Sequence, residues 1–122
     1  MHRQRFRALV SEALDEIPEP FRSHLDNVEV LVDDEPSPEM LRGMGLHPRR
    51  DTLFGLYEGT PLGERGLDGP PALPDRITIF YRPLVRTFRT PAAIRREIRK
   101  TVIHELGHFF GLEDDDIEAE GY

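Results

Sequence analysis

The chain of 122 residues contains no cysteine. Disulfide bonds, a thiolate metal site, a cysteine nucleophile and a thiol-based latency switch are therefore excluded. Long apolar runs are missing as well. The basic residues near the amino terminus are not followed by a continuous apolar segment, so we expect no secretory signal, and nothing approaches the length of a membrane span. We expect a cytoplasmic protein with no membrane partner.

The chain also lacks an excess of basic residues. Its 16 lysines and arginines face 23 acidic residues, giving a net charge of -7 at pH 7. Proteins that bind nucleic acids generally need basic residues to neutralise phosphates, so no nucleic-acid partner is expected. The length and the hydrophobic content of 38% suit one soluble domain with a modest core. We expect a single domain over residues 1–122, present as a monomer or a weak homo-oligomer.

The most informative stretch is TVIHELGHFFGLEDDD, at residues 101–116, which contains the pattern H-E-x-x-H-x-x-G-x-x-D. Residues four apart lie on the same face of an α-helix, so His104 and His108 can direct two imidazoles at one point. This is the geometry of two nitrogen ligands of one metal ion. Glu105 lies one step around the helix and is the candidate general base.

The residues after the second histidine predict a third ligand. Gly111 suits a helix end with positive φ, and the turn there directs Asp114 back towards the histidines. The alternative role for Asp114, or for Asp115, is the N-cap of a last short helix at residues 115–120. The assignment of the third ligand to Asp114 or to a neighbouring acid stays open.

The remaining chain indicates an α+β fold. A first helix is expected at residues 3–17, and Thr90 and Pro91 begin the helix that carries the motif. Strands are expected at 27–32, 52–58 and 75–81, with Pro83 stopping the third one. Residues 33–38 and 60–74 are expected to be loops, 40–50 is ambiguous, and a short link precedes the motif helix. The expected core-facing stripe of that helix consists of Ile94, Ile98, Val102, Leu106 and Phe109.

Three segments together resemble the zincin metallopeptidases, especially minimal bacterial zincin-like proteins. They are LFGLYEGTPLGER at 53–65, LPDRITIFYRPL at 73–84 and the motif segment. The resemblance implies a minimal zincin-like domain: a small mixed sheet of three to four strands, with an amino-terminal helix and an active-site helix packed on it. It also implies that the strand at 53–59 forms the sheet edge, with 76–81 as its inner neighbour. An extended peptide substrate would pair with that edge, and the candidate substrate contacts are Leu56, Tyr57 and Tyr81.

The sequence departs from the metzincin pattern at two points. Asp114 stands where metzincins have a third histidine, although a carboxylate oxygen also suits zinc. No methionine follows His108, because the methionines are residues 1, 40 and 44, so the methionine-containing turn below the metal is missing. Other zincins take a glutamate ligand from a later helix, for which Glu118 and Glu120 remain.

These residues favour a zinc-dependent metallopeptidase. His104, His108 and Asp114 would hold Zn²⁺, and Glu105 would take a proton from the attacking water. Tyr57 and Tyr81 are candidate donors to the oxyanion of the transition state. The alternative is a zincin-fold module that binds a peptide or protein without cleaving it. A purely structural zinc site is a weaker alternative, because such sites use four protein ligands.

Overall fold

A computed structural model describes residues 1–59 and 75–122 of the chain. In chain order, its helices and strands are α1 (Arg3–Asp15), α2 (Phe21–Leu25), β1 (Val28–Asp33), α3 (Pro38–Gly43), β2 (Gly55–Glu58), β3 (Asp75–Phe80), α4 (Tyr81–Thr87), α5 (Pro91–Phe109) and α6 (Asp114–Ala119). The loop predicted at 60–74 lies outside the described residues.

The sheet of the described residues has three strands in the order β1-β3-β2. β1 pairs with β3 in parallel, and β2 pairs with β3 in the antiparallel direction. The sheet is therefore mixed, and β2 lies at its edge with β3 in the middle. The α+β class, the mixed sheet and the edge position of β2 are confirmed.

Three short helices were not predicted. α2 follows Pro20, and α3 begins after Ser37, whose hydroxyl accepts a hydrogen bond from the backbone N–H of Met40 at 3.0 Å. α4 occupies the segment where Pro83 was expected to end a strand and a link to follow. Pro83 is the third residue of this helix, a first-turn position where its missing N–H needs no partner.

The core lies between α1, α5 and the sheet, and α6 closes it at one end. Four residues of the predicted stripe of α5 are buried, whereas Phe109 is 44% exposed and does not belong to the core. The core cluster also contains Phe6, Leu9 and Ala13 of α1, Ile77 and Ile79 of β3, and Ile117 of α6. Within the described residues, no helix combines the length and the apolarity needed to cross a membrane.

Gly107 allows α6 to pack closely against α5. A Cβ atom at this position would lie 2.5 Å from Cδ1 and 3.0 Å from Cγ1 of Ile117. Ile117 is only 1% exposed. The absence of a side chain at residue 107 therefore brings the first turn of α6 close to the last turns of α5, and this places Asp114 near the two histidines.

Candidate metal centre

The helix that carries the motif begins as the sequence predicts. The hydroxyl oxygen of Thr90 accepts a hydrogen bond from the backbone N–H of Ala93 at 3.1 Å, and Pro91 is the first helical residue. α5 then runs for 19 residues, so His104 and His108 lie in its last two turns. The side chain of His104 is 13% exposed and that of His108 is 42% exposed. One imidazole is thus largely buried while the other lies at the surface.

A tight turn reverses the chain after α5. Gly111 has φ +85°, and its N–H donates to the carbonyl of His108 at 2.9 Å, while the N–H of Leu112 donates to that of Gly107 at 2.9 Å. A residue with a side chain is strained at this φ, so glycine suits the position. The turn brings Asp114 back beside the histidines, as predicted. The N-cap of α6 is Glu113, so the prediction of Asp114 or Asp115 for that role is wrong.

Three side chains converge on one point at the surface of α5. Oδ1 of Asp114 lies 2.6 Å from Nε2 of His108 and 3.0 Å from Nδ1 of His104. One ligand atom from each of the three residues lies within 4.8 Å of the other two. Among the described residues, these three are the group of histidine and acidic side chains whose ligand atoms lie close enough together to hold a metal ion. Glu118 and Glu120 are not part of it.

The second nitrogen of each imidazole also has a partner. Nδ1 of His108 lies 3.1 Å from Oε2 of Glu105, and Nε2 of His104 lies 3.2 Å from the main-chain oxygen of Tyr122. These oxygens are acceptors, so an imidazole that binds a metal through the nitrogen facing Asp114 keeps its N–H on the other nitrogen, directed at one of these oxygens. Such outer contacts fix the tautomer and the ring orientation of histidine ligands.

The pKa values of the cluster reflect its opposite charges. Burial lowers the pKa of His108, but the hydrogen bonds to Asp114 and Glu105 outweigh it, so the pKa lies above the ordinary value of 6.5. Hydrogen bonds from His104 and then from His108 hold the pKa of Asp114 below its ordinary value of 3.8. Asp114 is therefore ionised at neutral pH, as a metal ligand must be.

Glu105 lies between the cluster and the edge of the sheet. Its Oε1 accepts a hydrogen bond from the backbone N–H of Tyr57 in β2 at 3.0 Å. The N–H is directed at α5 and away from β3, so it lies on the side of β2 that is not paired with β3. Glu105 is thus in contact with both His108 and the edge strand of the sheet.

The three candidate substrate contacts have different positions. The ring of Tyr57 stacks on Phe109, and its hydroxyl donates a 2.6 Å hydrogen bond to Oδ2 of the buried Asp75, so the hydroxyl is not directed at the three converging side chains. Leu56 is half-buried, and by the alternation of a strand its side chain lies on the opposite face of β2 from Tyr57. Tyr81 is the first residue of α4, not a strand residue, and its contacts are with Phe6, Arg3 and Met1. The structure therefore joins the backbone of Tyr57 to Glu105, beside the cluster, and it shows no such contact for Leu56 or Tyr81.

Comparison with known proteins shows the family of the chain. The sequence profile of the zincin-like metallopeptidases matches residues 25–122. The chain belongs to the zincin-like metallopeptidase family. The structure is also similar to a conserved hypothetical protein from T. thermophilus, with a TM-score of 0.57 and 24% identity over 90% of this chain and 94% of that one. That likeness concerns the fold. No curated protein matches the chain.

The donor set of this zincin-like protein suits zinc. Two imidazole nitrogens and one carboxylate oxygen are among the ligands that Zn²⁺ prefers, and they already converge on one point. Three protein ligands leave one position of a tetrahedral site open, which distinguishes catalytic from structural zinc sites. Asp114 is 60% exposed, so the three converging side chains lie at the surface of the protein.

Sequence reasoning missed two residues beside the zincin-like site. Asp75 was predicted only as the first residue of a strand, yet it is buried and holds the hydroxyl of Tyr57. Phe109 was predicted to be a core residue because it continues the apolar stripe, yet its ring stacks on Tyr57 with the centroids 4.4 Å apart. For Phe109 a signal was present, since it directly follows His108 and so lies at the edge of the metal site.

Proposed function

We propose that this protein is a zinc-dependent peptidase that hydrolyses a bond in an extended peptide. The observation that carries the proposal is the convergence of His104, His108 and Asp114, with Glu105 on the same helix and in contact with His108. Membership of the zincin-like metallopeptidase family supports it. His104 and His108 would bind the metal through the nitrogens that face Asp114.

Zinc, when bound at this site, lowers the pKa of a coordinated water and polarises the carbonyl of the bond to be cleaved. Glu105 has the position of the general base. One of its carboxylate oxygens takes the proton of the attacking water and then delivers it to the leaving amine. His108 orients that carboxylate through the contact between its Nδ1 and Oε2 of Glu105.

The substrate would pair with the outer edge of β2. The backbone N–H of Tyr57 is directed outwards from the sheet, where it now donates to Glu105. A carbonyl of the peptide would accept this N–H in place of Oε1 of Glu105. Binding of the peptide would therefore release one oxygen of the base at the moment when the scissile bond arrives.

The second candidate function is peptide binding without cleavage. Both carboxylate oxygens of Glu105 have a partner, Oε1 in the N–H of Tyr57 and Oε2 in His108. A carboxylate that keeps both contacts has no oxygen available to take a proton from water, and this favours binding without cleavage. In either case we propose that the partner is a peptide or protein, and that the chain acts in the cytoplasm as one domain and as a monomer or weak homo-oligomer.

Hydrolysis of a mixed peptide library, followed by mass spectrometry, distinguishes the two functions. A peptidase cleaves the library, loses this activity when a chelator removes the metal, and regains it when zinc is added. The Glu105→Gln variant should retain zinc and lose about 10²- to 10⁴-fold in rate, the usual contribution of a general base. A zinc-loaded protein that retains peptides without cleaving any of them would establish the binding function instead.

A further inference from the structure

Two exposed phenylalanines lie beside the metal centre. Phe109 and Phe110 are 44% and 45% exposed, and their rings meet edge to face with the centroids 5.2 Å apart. The ring centroid of Phe110 also lies 4.2 Å from the ring centroid of His24. Contiguous exposed apolar surface on a soluble protein commonly marks a place where a ligand or partner binds.

This aromatic surface is continuous with the edge of the sheet. The rings of Phe109 and Tyr57 are stacked, with an angle of 24° between their planes. At Gly59, directly after β2, a Cβ atom would lie 2.9 Å from Cε2 of Phe109. Because residue 59 has no side chain, the ring of Phe109 can lie against the backbone at the end of the strand. A peptide paired with β2 would therefore reach this ring.

The contacts along β2 also give the direction of such a peptide. β2 and α5 run in the same direction, since Gly55 lies beside Thr101, Tyr57 beside Glu105 and Gly59 beside Phe109. A peptide in antiparallel pairing, the more stable arrangement, runs in the opposite direction. Its amino-terminal part then lies at Phe109.

We propose that Phe109, supported by Tyr57 and Phe110, binds an apolar side chain of the substrate on the amino-terminal side of the cleaved bond. This inference rests on the proposed function and names its substrate class. Phe109 lies four residues beyond Glu105, about 6 Å along the helix. Such a distance corresponds to roughly two residues of extended peptide, so the apolar residue precedes the cleaved bond by about two positions.

The charges near the aromatic surface support an apolar occupant over an acidic one. Residues 113–116 are Glu-Asp-Asp-Asp, and only two residues separate them from Phe110. Like charges disfavour an acidic side chain beside them. The exposed rings of Phe109 and Phe110 favour an aromatic or large aliphatic side chain over serine, and the carboxylates disfavour glutamate at the same position.

A binding experiment tests the inference without requiring cleavage. Zinc-loaded Glu105→Gln protein is titrated into fluorescent peptides that differ at one residue, which is Phe, Leu, Ser or Glu. We expect the Phe peptide to bind about tenfold more tightly than the Ser peptide, and Phe109→Ser to remove most of this difference. The Phe109→Leu variant should keep part of the difference in affinity between the two peptides. Leu31→Ser is the matched control, because Leu31 is an exposed apolar residue on β1, at the other edge of the sheet.

Equal affinity for the four peptides, or a preference that Phe109→Ser leaves intact, would overturn the inference. So would a Phe109→Ser effect on self-association alone, measured by sedimentation, because the aromatic surface would then be a contact between copies of the chain. If the peptides bind with the expected preference but the wild-type protein cleaves none of them, the hydrolase function fails while the apolar site stands. If the wild-type protein cleaves the peptides without any preference for an apolar residue, the hydrolase function stands and the apolar site fails.

Discussion

The backbone N–H of Tyr57 donates a hydrogen bond to Oε1 of Glu105 across the gap between β2 and α5. This 3.0 Å contact joins the strand edge to the candidate base. The contact gives this N–H an acceptor that β3 does not supply, because the N–H is directed away from the β3 ladder, and it orients the carboxylate of Glu105.

Two substitutions at Glu105 separate its chemical role from this contact. Glu105→Gln keeps a side-chain oxygen that can accept the N–H of Tyr57, whereas Glu105→Ala removes it. We expect Glu105→Ala to lower the free energy of unfolding by about 1 kcal/mol more than Glu105→Gln does, measured by urea denaturation. Both variants should lose hydrolysis. Equal stability of the two variants would mean that the contact with Tyr57 does not hold in solution.

Gly107 is expected to be sensitive to even one added methyl group. In Gly107→Ala the new Cβ would collide with Ile117, and the free energy of unfolding should fall by about 1–3 kcal/mol. The variant should also bind zinc more weakly, because α6 carries Asp114. Equilibrium unfolding and zinc titration measure the two effects.

The double variant Gly107→Ala/Ile117→Val provides the control for that collision. Ile117→Val removes the Cδ1 atom that lies 2.5 Å from the new Cβ. Gly107→Ala should therefore cost less in the Ile117→Val background than in the wild type. Strictly additive losses would show that the two residues do not meet as described.

Gly111 should tolerate alanine poorly for a different reason. Nothing lies within 4 Å of a Cβ atom at residue 111, so only its φ of +85° opposes a side chain. Gly111→Ala should cost about 1–2 kcal/mol in the free energy of unfolding. Gly43→Ala is the matched control, because residue 43 has equal space and no positive φ, and it should cost nothing. A similar loss in both variants would exclude backbone strain as the cause.

The sequence predicted the parts of the site that depend on local spacing. His104, His108 and the turn at Gly111 follow from helical periodicity and from the freedom of glycine. The pairing of Glu105 with Tyr57 and of Tyr57 with Asp75 joins residues that are 48 and 18 positions apart. Such contacts depend on the strand order, which no local pattern encodes.

The errors in the predicted fold have local causes. Pro83 ends a strand by the usual rule, but proline is equally acceptable in the first turn of a helix, and the chain uses it there. Phe109 has helical spacing with the buried stripe, yet it is the last residue of α5, where its ring stacks on Tyr57 at the edge of the sheet and stays 44% exposed. Periodicity indicates a face of a helix but not where the core ends along it.

The most direct test of the metal centre is the zinc content of the purified protein and of two aspartate variants, with no affinity metal or chelator used in purification. The wild type should contain about one zinc per chain. Asp114→Ala should lose it, because one of the three converging ligands is gone, while the neighbouring variant Asp115→Ala should retain it. A wild type that stays free of zinc even in excess, or an Asp114→Ala variant that binds as well as Asp115→Ala, would contradict the assignment of His104, His108 and Asp114 as the ligands.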